Sequence, residues 1–556
     1  MKLRGAGLRF HGSCLVASGL VLASAACAQP YRLPEAELQR EAALIDALTE
    51  PIGHAQSAGL ASRLASLKRD LDENPYSDIL RKKWNDLNRP LEWPPPASDA
   101  AFLRRAWLDL CGSIPPADEV AAFLADQRVA KRVALIDRLL SSPEYAQTLA
   151  GDLVNWLKVE VGEDDVAAAG FRRWLEASIA RNAPWNALMR EMLTEEGASL
   201  QHAAAGWMSG GADCRIRKAV AASAVFLGRS LHCAQCHDDP FGDATQMQVF
   251  GLAAVFAQPG EARLPMHYKY RDGVPGQILQ KAWVPGKEWS VGLGARAGLA
   301  EWLTGGARSQ FASAIAWGVW KRLFGQVSET QRGRDWEPAS GEVRDDETAL
   351  IKQSQKYVFT GSECTPAPAE PTVVEELAAD PDGAALLQGL AALLIRLDYD
   401  LREFHRVLCN TRAYQREARA SEAQIQLGDA PVRSPLLRRL SRSQIWNSLR
   451  IVARGKVSGS VGPGLLGDDT LRSPSLPLSP GLTRWMMNGE AVREAARGLS
   501  ASQGGKDNVD EIFMAILSRK PGAEEAAAAR RMMHSGGDEE GVAWALLNTA
   551  EFLFSR

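Results

Sequence analysis

Apolar residues recur about every 3.6 positions along most of this chain, whereas alternation with a period of two is hard to find. This pattern predicts a mainly α-helical protein whose helices each bury one face. We predict helices over residues 35–48, 60–71, 102–112, 116–124, 129–140, 143–157, 171–179, 185–193, 220–231, 243–254, 297–303, 311–324, 384–397, 401–411, 443–453, 490–499, 509–517 and 524–533, with a last helix ending at Phe554.

The helical pattern is interrupted where glycine, proline and polar residues accumulate. These interruptions predict a helical extension and linker over 30–97, a helical domain over 98–257, a connector over 258–295 that is irregular or a small β-hairpin, and a second helical domain over 296–556. Within the second domain, residues 331–382 and 455–481 are expected to be loop insertions.

The first 28 residues are typical of a signal segment, with Lys2, Arg4 and Arg9 ahead of an apolar run and small residues after it. The run ends in Ala26-Cys27-Ala28, a signal-peptidase pattern, but residues 24–27 also form a loose lipobox that would leave Cys27 lipidated. We therefore expect a periplasmic or cell-envelope protein, either released or lipid-anchored. No later apolar run of about 18 residues predicts a membrane span.

Overall charge changes this picture little. The net charge is −3 and the hydrophobic share is 46%, as in ordinary soluble proteins. This balance predicts neither a nucleic-acid partner nor a basic membrane-binding surface. The Arg104-Arg105 and Arg172-Arg173 pairs are expected on solvated helix faces. Outside the segment described next, a buried hydrophobic role suits each remaining cysteine, Cys111, Cys214, Cys364 and Cys409, at least as well as disulfide pairing.

The chain has one concentrated chemical signal, the pentapeptide Cys233-Ala234-Gln235-Cys236-His237. Two thiols three positions apart can reach both vinyl groups of one porphyrin, and the following imidazole can ligate the iron. With eight Cys and eight His in the chain, such a pattern is expected by chance only about 0.002 times. The same residues also suit a disulfide or free dithiol, or a zinc site with a fourth ligand. A thiol–disulfide oxidoreductase is disfavoured because no βαβ pattern surrounds the cysteines.

Helical patterns flank this motif. Asp243 with Gln246 is a plausible capping box at the start of the following helix. Met247, Met266, His267 and His232 are candidates for a distal iron ligand, and we favour Met266 or His267, which lie in the irregular connector. Asp238 and Asp239 are expected to cap the corner, with a hydrogen bond to the His237 imidazole as the alternative.

Several segments together resemble a known family. FLRRAWLDLCGSIPPADEVAAFLAD, RVALIDRLLSSPEYA, RNAPWNALMREML and FLGRSLHCAQCHDDPF are similar to the planctomycete-type cytochrome-c-like domain DUF1549 (PSCyt2). Later segments, such as LDYDLREFHRVLCNTRAYQ and LRRLSRSQIWNSLRIV, resemble its usual partner, DUF1553 (PSD1). The chain departs from the family where Asp239 replaces a second histidine and where Trp317-Gly318 stands in place of an Asn-Arg pair.

The motif and the resemblance together imply an exported cytochrome-c-like protein. Cys233 and Cys236 would attach haem c, His237 would be the proximal ligand, and the role would be electron transfer to an unknown redox or envelope partner. The alternative is a non-enzymatic envelope or complex-assembly protein in which the two cysteines form a disulfide or metal brace. No hydrolase, P-loop or dinucleotide motif is present in the sequence, and enzymatic activity is left open.

Overall fold

The computed structural model describes residues 32–73, 81, 94–157, 166–195, 202–208, 214–239, 243–325, 381–418, 435–454, 480–501, 508–535 and 537–555. The predicted signal segment with Cys27, the residues 331–380 of the first predicted insertion and the residues 455–479 of the second lie outside these ranges. The chain divides into one unit over Met1–Arg32 and another over Leu33–Arg556. The following description concerns the second unit.

The described chain is mainly helical, as the periodicity predicts. The α-helices before the cysteine motif are α1 (Glu35–Glu73), α2 (Asp99–Cys111), α3 (Ala117–Ala125), α4 (Lys131–Leu140), α5 (Pro143–Trp156), α6 (Val166–Ala180), α7 (Trp185–Thr194) and α8 (Cys214–Ala222). Shorter turns add a 3₁₀ segment over Ala203–Met208 and a π-turn over Ser223–Leu227.

The remaining helices follow the motif. They are α9 (Gln246–Ala253), α10 (Leu293–Thr304), α11 (Arg308–Phe324), α12 (Pro381–Arg396), α13 (Leu401–Cys409), α14 (Arg442–Val452), α15 (Pro480–Asn488), α16 (Glu490–Ala501), α17 (Val509–Leu517), α18 (Ala523–His534), α19 (Glu539–Leu547) and α20 (Ala550–Leu553). None of the described helices is both long and apolar enough to cross a membrane.

Two small antiparallel sheets complete the described structure. Strands β1 (Lys281–Val284) and β2 (Lys287–Ser290) form a hairpin, in agreement with the small β-hairpin considered for the connector. Gly286 closes the turn at φ +80°, a backbone conformation that glycine adopts without steric cost. Strands β3 (Arg438–Arg439) and β4 (Phe554–Ser555) pair across more than a hundred residues of sequence.

Helix ends follow the local signals in the sequence. Ser98 accepts a hydrogen bond from Ala101 N at the start of α2, and Gly112 ends that helix at φ +68°. Ser142 caps α5 in the same way, with Pro143 at its first position. Two boundaries differ from prediction: α1 is one continuous helix rather than two, and α15 begins at Pro480, inside the loop predicted to reach residue 481.

The helix predicted over 220–231 is wrong in its second half. Helix α8 ends at Ala222, passes into the π-turn, and Gly228 at φ +67° terminates it. The apolar spacing continues to Leu231 because that side chain is buried in the core, although it is no longer on a helix. The chain therefore approaches the cysteine motif as a non-helical segment.

Two hydrophobic cores lie in this unit. The larger includes buried side chains from Leu33 to Tyr414, and the smaller combines Leu108 and Ile114 with buried side chains from Leu440 to Leu553. Helix α2 contributes to both, because Phe102 is in the larger core and Leu108 is in the smaller. Segments far apart in sequence thus share the same packing.

Buried polar contacts join the early and late parts of the chain. The Arg104 guanidinium donates to the carbonyl oxygens of Ile516 and Phe552, each at 2.9 Å. Asp109 accepts from Arg438 Nη2 at 2.7 Å and from the Tyr414 hydroxyl at 2.9 Å. The prediction that Arg104 and Arg105 are solvated is wrong, since they are 3% and 0% exposed.

Candidate functional site: the cysteine–histidine turn

The motif forms a tight turn between α8 and α9. Residues Cys233–Gln235 make one turn of 3₁₀ helix, and Cys236 N donates to Cys233 O at 3.4 Å. Ala234 is fully buried and anchors the turn in the larger core. The turn thus fixes the backbone that carries both thiols and the imidazole.

Both motif cysteines are free thiols, with Cys233 half-buried and Cys236 exposed. Burial raises the pKa of Cys233, and the negative charge of Asp239 raises it further. A redox-active or nucleophilic cysteine needs the opposite shift, towards an easily formed thiolate. The environment of Cys233 therefore does not favour the thiol–disulfide oxidoreductase reading.

The His237 side chain is exposed, and its Nδ1 lies 2.7 Å from the carbonyl oxygen of Asp238. Because a carbonyl oxygen only accepts hydrogen bonds, Nδ1 must carry the proton in this contact. In the neutral ring the lone pair then belongs to Nε2. This arrangement, with one ring nitrogen held by a backbone carbonyl, is the usual one for a histidine that ligates a metal.

Asp238 organises the turn through three different groups. Its carbonyl oxygen holds His237, its backbone N–H donates to the Tyr270 hydroxyl at 2.7 Å, and its Oδ1 accepts from Gln246 N at 2.8 Å. The last contact satisfies a free N–H at the first residue of α9. The expectation that Asp238 caps the corner is therefore confirmed, and the contact to the imidazole is made by its backbone.

The capping box of α9 lies two residues later than predicted. Thr245 and Gln248 exchange the two side-chain to backbone hydrogen bonds of the box, at 3.2 Å each. Asp243 forms an ion pair with Arg229 instead. Since Arg229 directly follows Gly228, this pair ties the segment entering the motif to the segment leaving it.

The connector folds back onto the motif. The ring of Tyr270 contacts that of Tyr268 at a centroid distance of 5.7 Å, and the Tyr268 hydroxyl donates to Asp272 at 2.5 Å. Tyr270 is one of the residues that position the motif, and sequence reasoning did not identify it. No sequence signal links Tyr270 to Asp238, because their contact depends on the path of a loop 32 residues away.

The proposed distal candidates are distributed around this connector. Met266 is 78% exposed, and His267 beside it is also exposed. Met247 packs against the larger core, with its methyl group near Gly273. His232 lies one residue before the motif, where its Nδ1 is 3.2 Å from Gln235 Nε2. The choice between Met266 and His267 stays a prediction.

The donor set fits covalent haem better than it fits a bare metal. Two free thiols at the required spacing precede an exposed imidazole whose tautomer leaves Nε2 as the ligating atom. Among the described residues, no group of three His, Cys, Asp or Glu side chains is placed to hold a metal ion. Whether a zinc ion binds the two thiols and the imidazole with a fourth ligand stays a prediction.

A small cavity elsewhere does not take part in this site. It has a volume of about 160 Å³ and is lined by residues 255–258 together with Met208, Gly292 and Arg296. None of the motif residues lines it, and typical ligand pockets are larger, roughly 300–1,000 Å³.

Comparison with known proteins gives one match. Residues 75–261 match the family model PSCyt2, described as a protein of unknown function (DUF1549). The family is named for a planctomycete cytochrome-like domain, and the matched region includes Cys233, Cys236 and His237. No curated protein and no solved structure matches the chain. The resemblance of the later segments to DUF1553 stays a prediction.

Proposed function

We propose that the chain is a c-type cytochrome-like protein that carries haem on Cys233 and Cys236, with His237 as the proximal ligand. The observation that carries this proposal is the 2.7 Å contact between His237 Nδ1 and the Asp238 carbonyl oxygen. This contact assigns the proton to Nδ1 and leaves Nε2 as a lone-pair donor on an exposed ring. The spacing of the two free thiols supports the same reading.

The residues of the chain have distinct roles in this proposal. Each thiol would add across one vinyl group, so that sulfur bonds one carbon and the thiol hydrogen goes to its neighbour. Asp238 would keep the imidazole oriented and make it a more basic ligand. The Tyr270 hydroxyl would hold Asp238 in place by accepting a hydrogen bond from the Asp238 backbone N–H. When bound, haem supplies one-electron redox chemistry.

The proposal includes export to the periplasm or cell envelope, where covalent haem attachment and an electron-transfer partner would be found. The charged N-terminal start and the following apolar run of the sequence support export. Release after cleavage and lipidation at Cys27 are both compatible with this role. The redox partner is expected to be another exported or envelope protein.

The decisive experiment is to produce the chain in a host that attaches haem to C-x-x-C-H motifs. We expect a Soret band and a mass increase of one porphyrin that survive denaturation, because the bonds are covalent. Cys233→Ser with Cys236→Ser should abolish both signals. The matched control, Cys111→Ser with Cys409→Ser, changes two buried cysteines elsewhere and should retain covalent haem in any protein that folds.

The remaining outcomes discriminate between the alternatives. A colourless protein that has lost two hydrogens and has no free thiol at Cys233 or Cys236 would contradict the proposal and favour the disulfide brace. A colourless protein with both thiols free would also contradict it. In a haem-loaded protein, Tyr270→Phe should shift the reduction potential because the support of Asp238 is lost, whereas Tyr268→Phe removes a hydroxyl that contacts Asp272 and should shift it less.

A further inference from the structure

The connector carries an exposed apolar cluster. Met266 is 78% exposed, Val274 65% and Ile278 37%, whereas most large apolar side chains of the described residues are buried. Single exposed apolar residues are ordinary on protein surfaces. Three exposed apolar residues on one loop of fewer than twenty residues are less common, because grouped apolar surface often marks a site of association.

These side chains lie on one loop whose two arms are paired. Arg263 and Ile278 face each other in an antiparallel bridge, and Arg263 Nη1 donates to Gly276 O at 3.0 Å. The Met266 sulfur lies over Gly276, at only 2.9 Å from where a Cβ would be. The backbone pairs again between Leu264 N and Gln277 O at 2.9 Å. The two arms of the loop are thus held together, and their outer side chains are neighbours.

The same loop is basic. Arg263, Lys269 and Arg271 are exposed, and the only acidic residue between positions 262 and 280 is Asp272, which accepts a hydrogen bond from Tyr268. The whole chain, by contrast, carries a net charge of −3. The positive charge is therefore a local property of this loop, which we name the basic tip (Arg263, Met266, Lys269, Arg271, Val274 and Ile278).

The inner face of the loop is apolar and fixed. Leu264 and Tyr268 are buried, and both lie with Met247 around Gly273. Tyr270 is bound to Asp238 N–H beside the motif. Because the inner side chains fix the loop to α9 and to the motif, the outer side chains are presented on a supported surface.

We infer that the basic tip is a docking surface for an anionic lipid membrane. Lysine and arginine near a membrane surface are attracted to anionic headgroups, and aliphatic side chains among them can enter the interfacial region. Charge complementarity favours an anionic partner. A lipid surface is favoured over an acidic protein because the exposed apolar residues of the loop are Met266, Val274 and Ile278, with no exposed aromatic residue among them, whereas apolar anchors of protein interfaces are enriched in Trp and Tyr.

The test is sedimentation of the full chain with phosphatidylcholine vesicles prepared with and without phosphatidylglycerol. We expect tighter binding to the anionic vesicles, and a loss of about 30-fold for the variant Lys269→Gln with Arg271→Gln, which removes two cations at the surface. Binding to pure phosphatidylcholine should not change in this variant, which accounts for any contribution of the N-terminal apolar run. At about 1 M salt the preference for anionic lipid should be lost.

A second variant tests the apolar part of the tip. Val274→Ser with Ile278→Ser should weaken binding to anionic vesicles about tenfold, since part of the side-chain transfer free energy is lost. The matched control is Arg172→Gln with Arg173→Gln, an exposed pair of cations on α6 that should leave binding unchanged. Because all these positions are exposed, circular dichroism is expected to show the same helical content in every variant.

Two results would overturn the inference. Equal binding of the wild-type chain to both kinds of vesicle would show that the tip does not recognise anionic lipid. If the chain ignores vesicles but is retained on a carboxylate resin, and Lys269→Gln with Arg271→Gln abolishes that retention, the tip would fit an acidic protein instead. Neither result depends on whether haem is attached, so the haem proposal is tested separately.

Discussion

At the residue scale, Asp238 joins the cysteine–histidine turn to Tyr270 and to helix α9 through three hydrogen bonds. Cys233, Cys236 and His237 can be named from sequence because their relation is one of spacing along the chain. Asp238 acts partly through its backbone, which every residue has, and Tyr270 reaches it from 32 positions away. Such contacts cannot be predicted from the spacing of residues along the sequence.

Buried charge was also hidden from the sequence. Arg104 and Arg105 lie in a polar stripe on α2 that resembles a solvated helix face. That stripe instead faces other parts of the chain: Arg104 donates to carbonyl oxygens, and Arg105 Nη2 donates to Arg416 O at 2.8 Å. Periodicity shows which residues share a face but not whether the face meets water or backbone oxygen.

His405 provides a pH test at this scale. The ring is fully buried, with Nδ1 at 2.6 Å from Leu401 O and 3.2 Å from the Tyr145 hydroxyl. Burial lowers the pKa of His405 to about 3. The charge of Arg322 lowers this pKa further, whereas the charge of Asp152 raises it. The unfolded chain therefore takes up a proton near the ordinary pKa of about 6.5 while the folded chain does not. The free energy of unfolding should fall as pH drops from about 6.5 towards 3, by up to about 1.4 kcal/mol per pH unit from this residue.

Urea denaturation at several pH values would measure this slope. His405→Asn keeps an N–H donor near Leu401 O but does not titrate, so its slope should be smaller by about one proton's contribution. His534→Asn changes a histidine that is exposed at the end of α18 and serves as the control. An unchanged slope in His405→Asn would contradict the assignment.

At the element scale, the sequence predicted helix existence well and helix packing poorly. The hairpin β1–β2 was considered because glycine and proline punctuate the connector. The partner of the hairpin was not predictable: Trp283 of β1 lies flat against Gly251 of α9, where a Cβ would be 2.3 Å from the indole. Glycine is required there by close approach, which sequence spacing does not reveal.

Substitution of this glycine gives a second prediction. Gly251→Ala should lower the free energy of unfolding by about 1–3 kcal/mol, because the indole must be displaced from α9. Gly170→Ala, in the interior of α6 with nothing within 4 Å of the new methyl group, should instead stabilise by about 0.4–1 kcal/mol through the unfolded state. Chemical denaturation would measure both; equal effects would show that the Trp283 contact does not constrain α9.

Basicity at the element scale shows how an average misleads. The near-neutral composition predicts no basic membrane-binding surface, because an average over the whole chain does not reveal a local group of cations. The cations of the basic tip lie on one loop, whose two arms are joined where Arg263 and Ile278 pair. Their grouping belongs to the hairpin-like path of the chain.

At the scale of the whole molecule, residues from Leu33 onwards form one compact unit. Helix α1 is docked against a later part of the chain, since Asp46 accepts hydrogen bonds from the backbone N–H groups of Arg412 at 2.9 Å and Ala413 at 3.1 Å. Asp109 and Arg322 make further buried ion pairs, with Arg438 and Asp152 respectively. The region that matches PSCyt2 thus completes its polar contacts with residues far beyond position 261.

Removal of one of these carboxylates gives a third prediction. Asp109→Ala leaves the Arg438 guanidinium buried without its carboxylate and the Tyr414 hydroxyl without its acceptor, which should cost about 3–5 kcal/mol. Glu119→Ala breaks an exposed ion pair with Arg138 and should cost at most about 1 kcal/mol. Thermal and chemical denaturation of both variants would measure the difference; comparable losses would argue against the structural importance of the buried network.

The hydrogen bond from Arg104 to Phe552 has a consequence for the folding of the chain during its synthesis. The two residues are 448 positions apart, so at about 5–20 residues per second the ribosome needs tens of seconds to supply the carbonyl that Arg104 requires. During that interval, burial of the Arg104 guanidinium would leave its Nη2 without the carbonyl acceptor that Phe552 provides in the folded chain. We therefore expect the first half of the growing chain to stay hydrated around Arg104 until the segment that contains Phe552 has been synthesised.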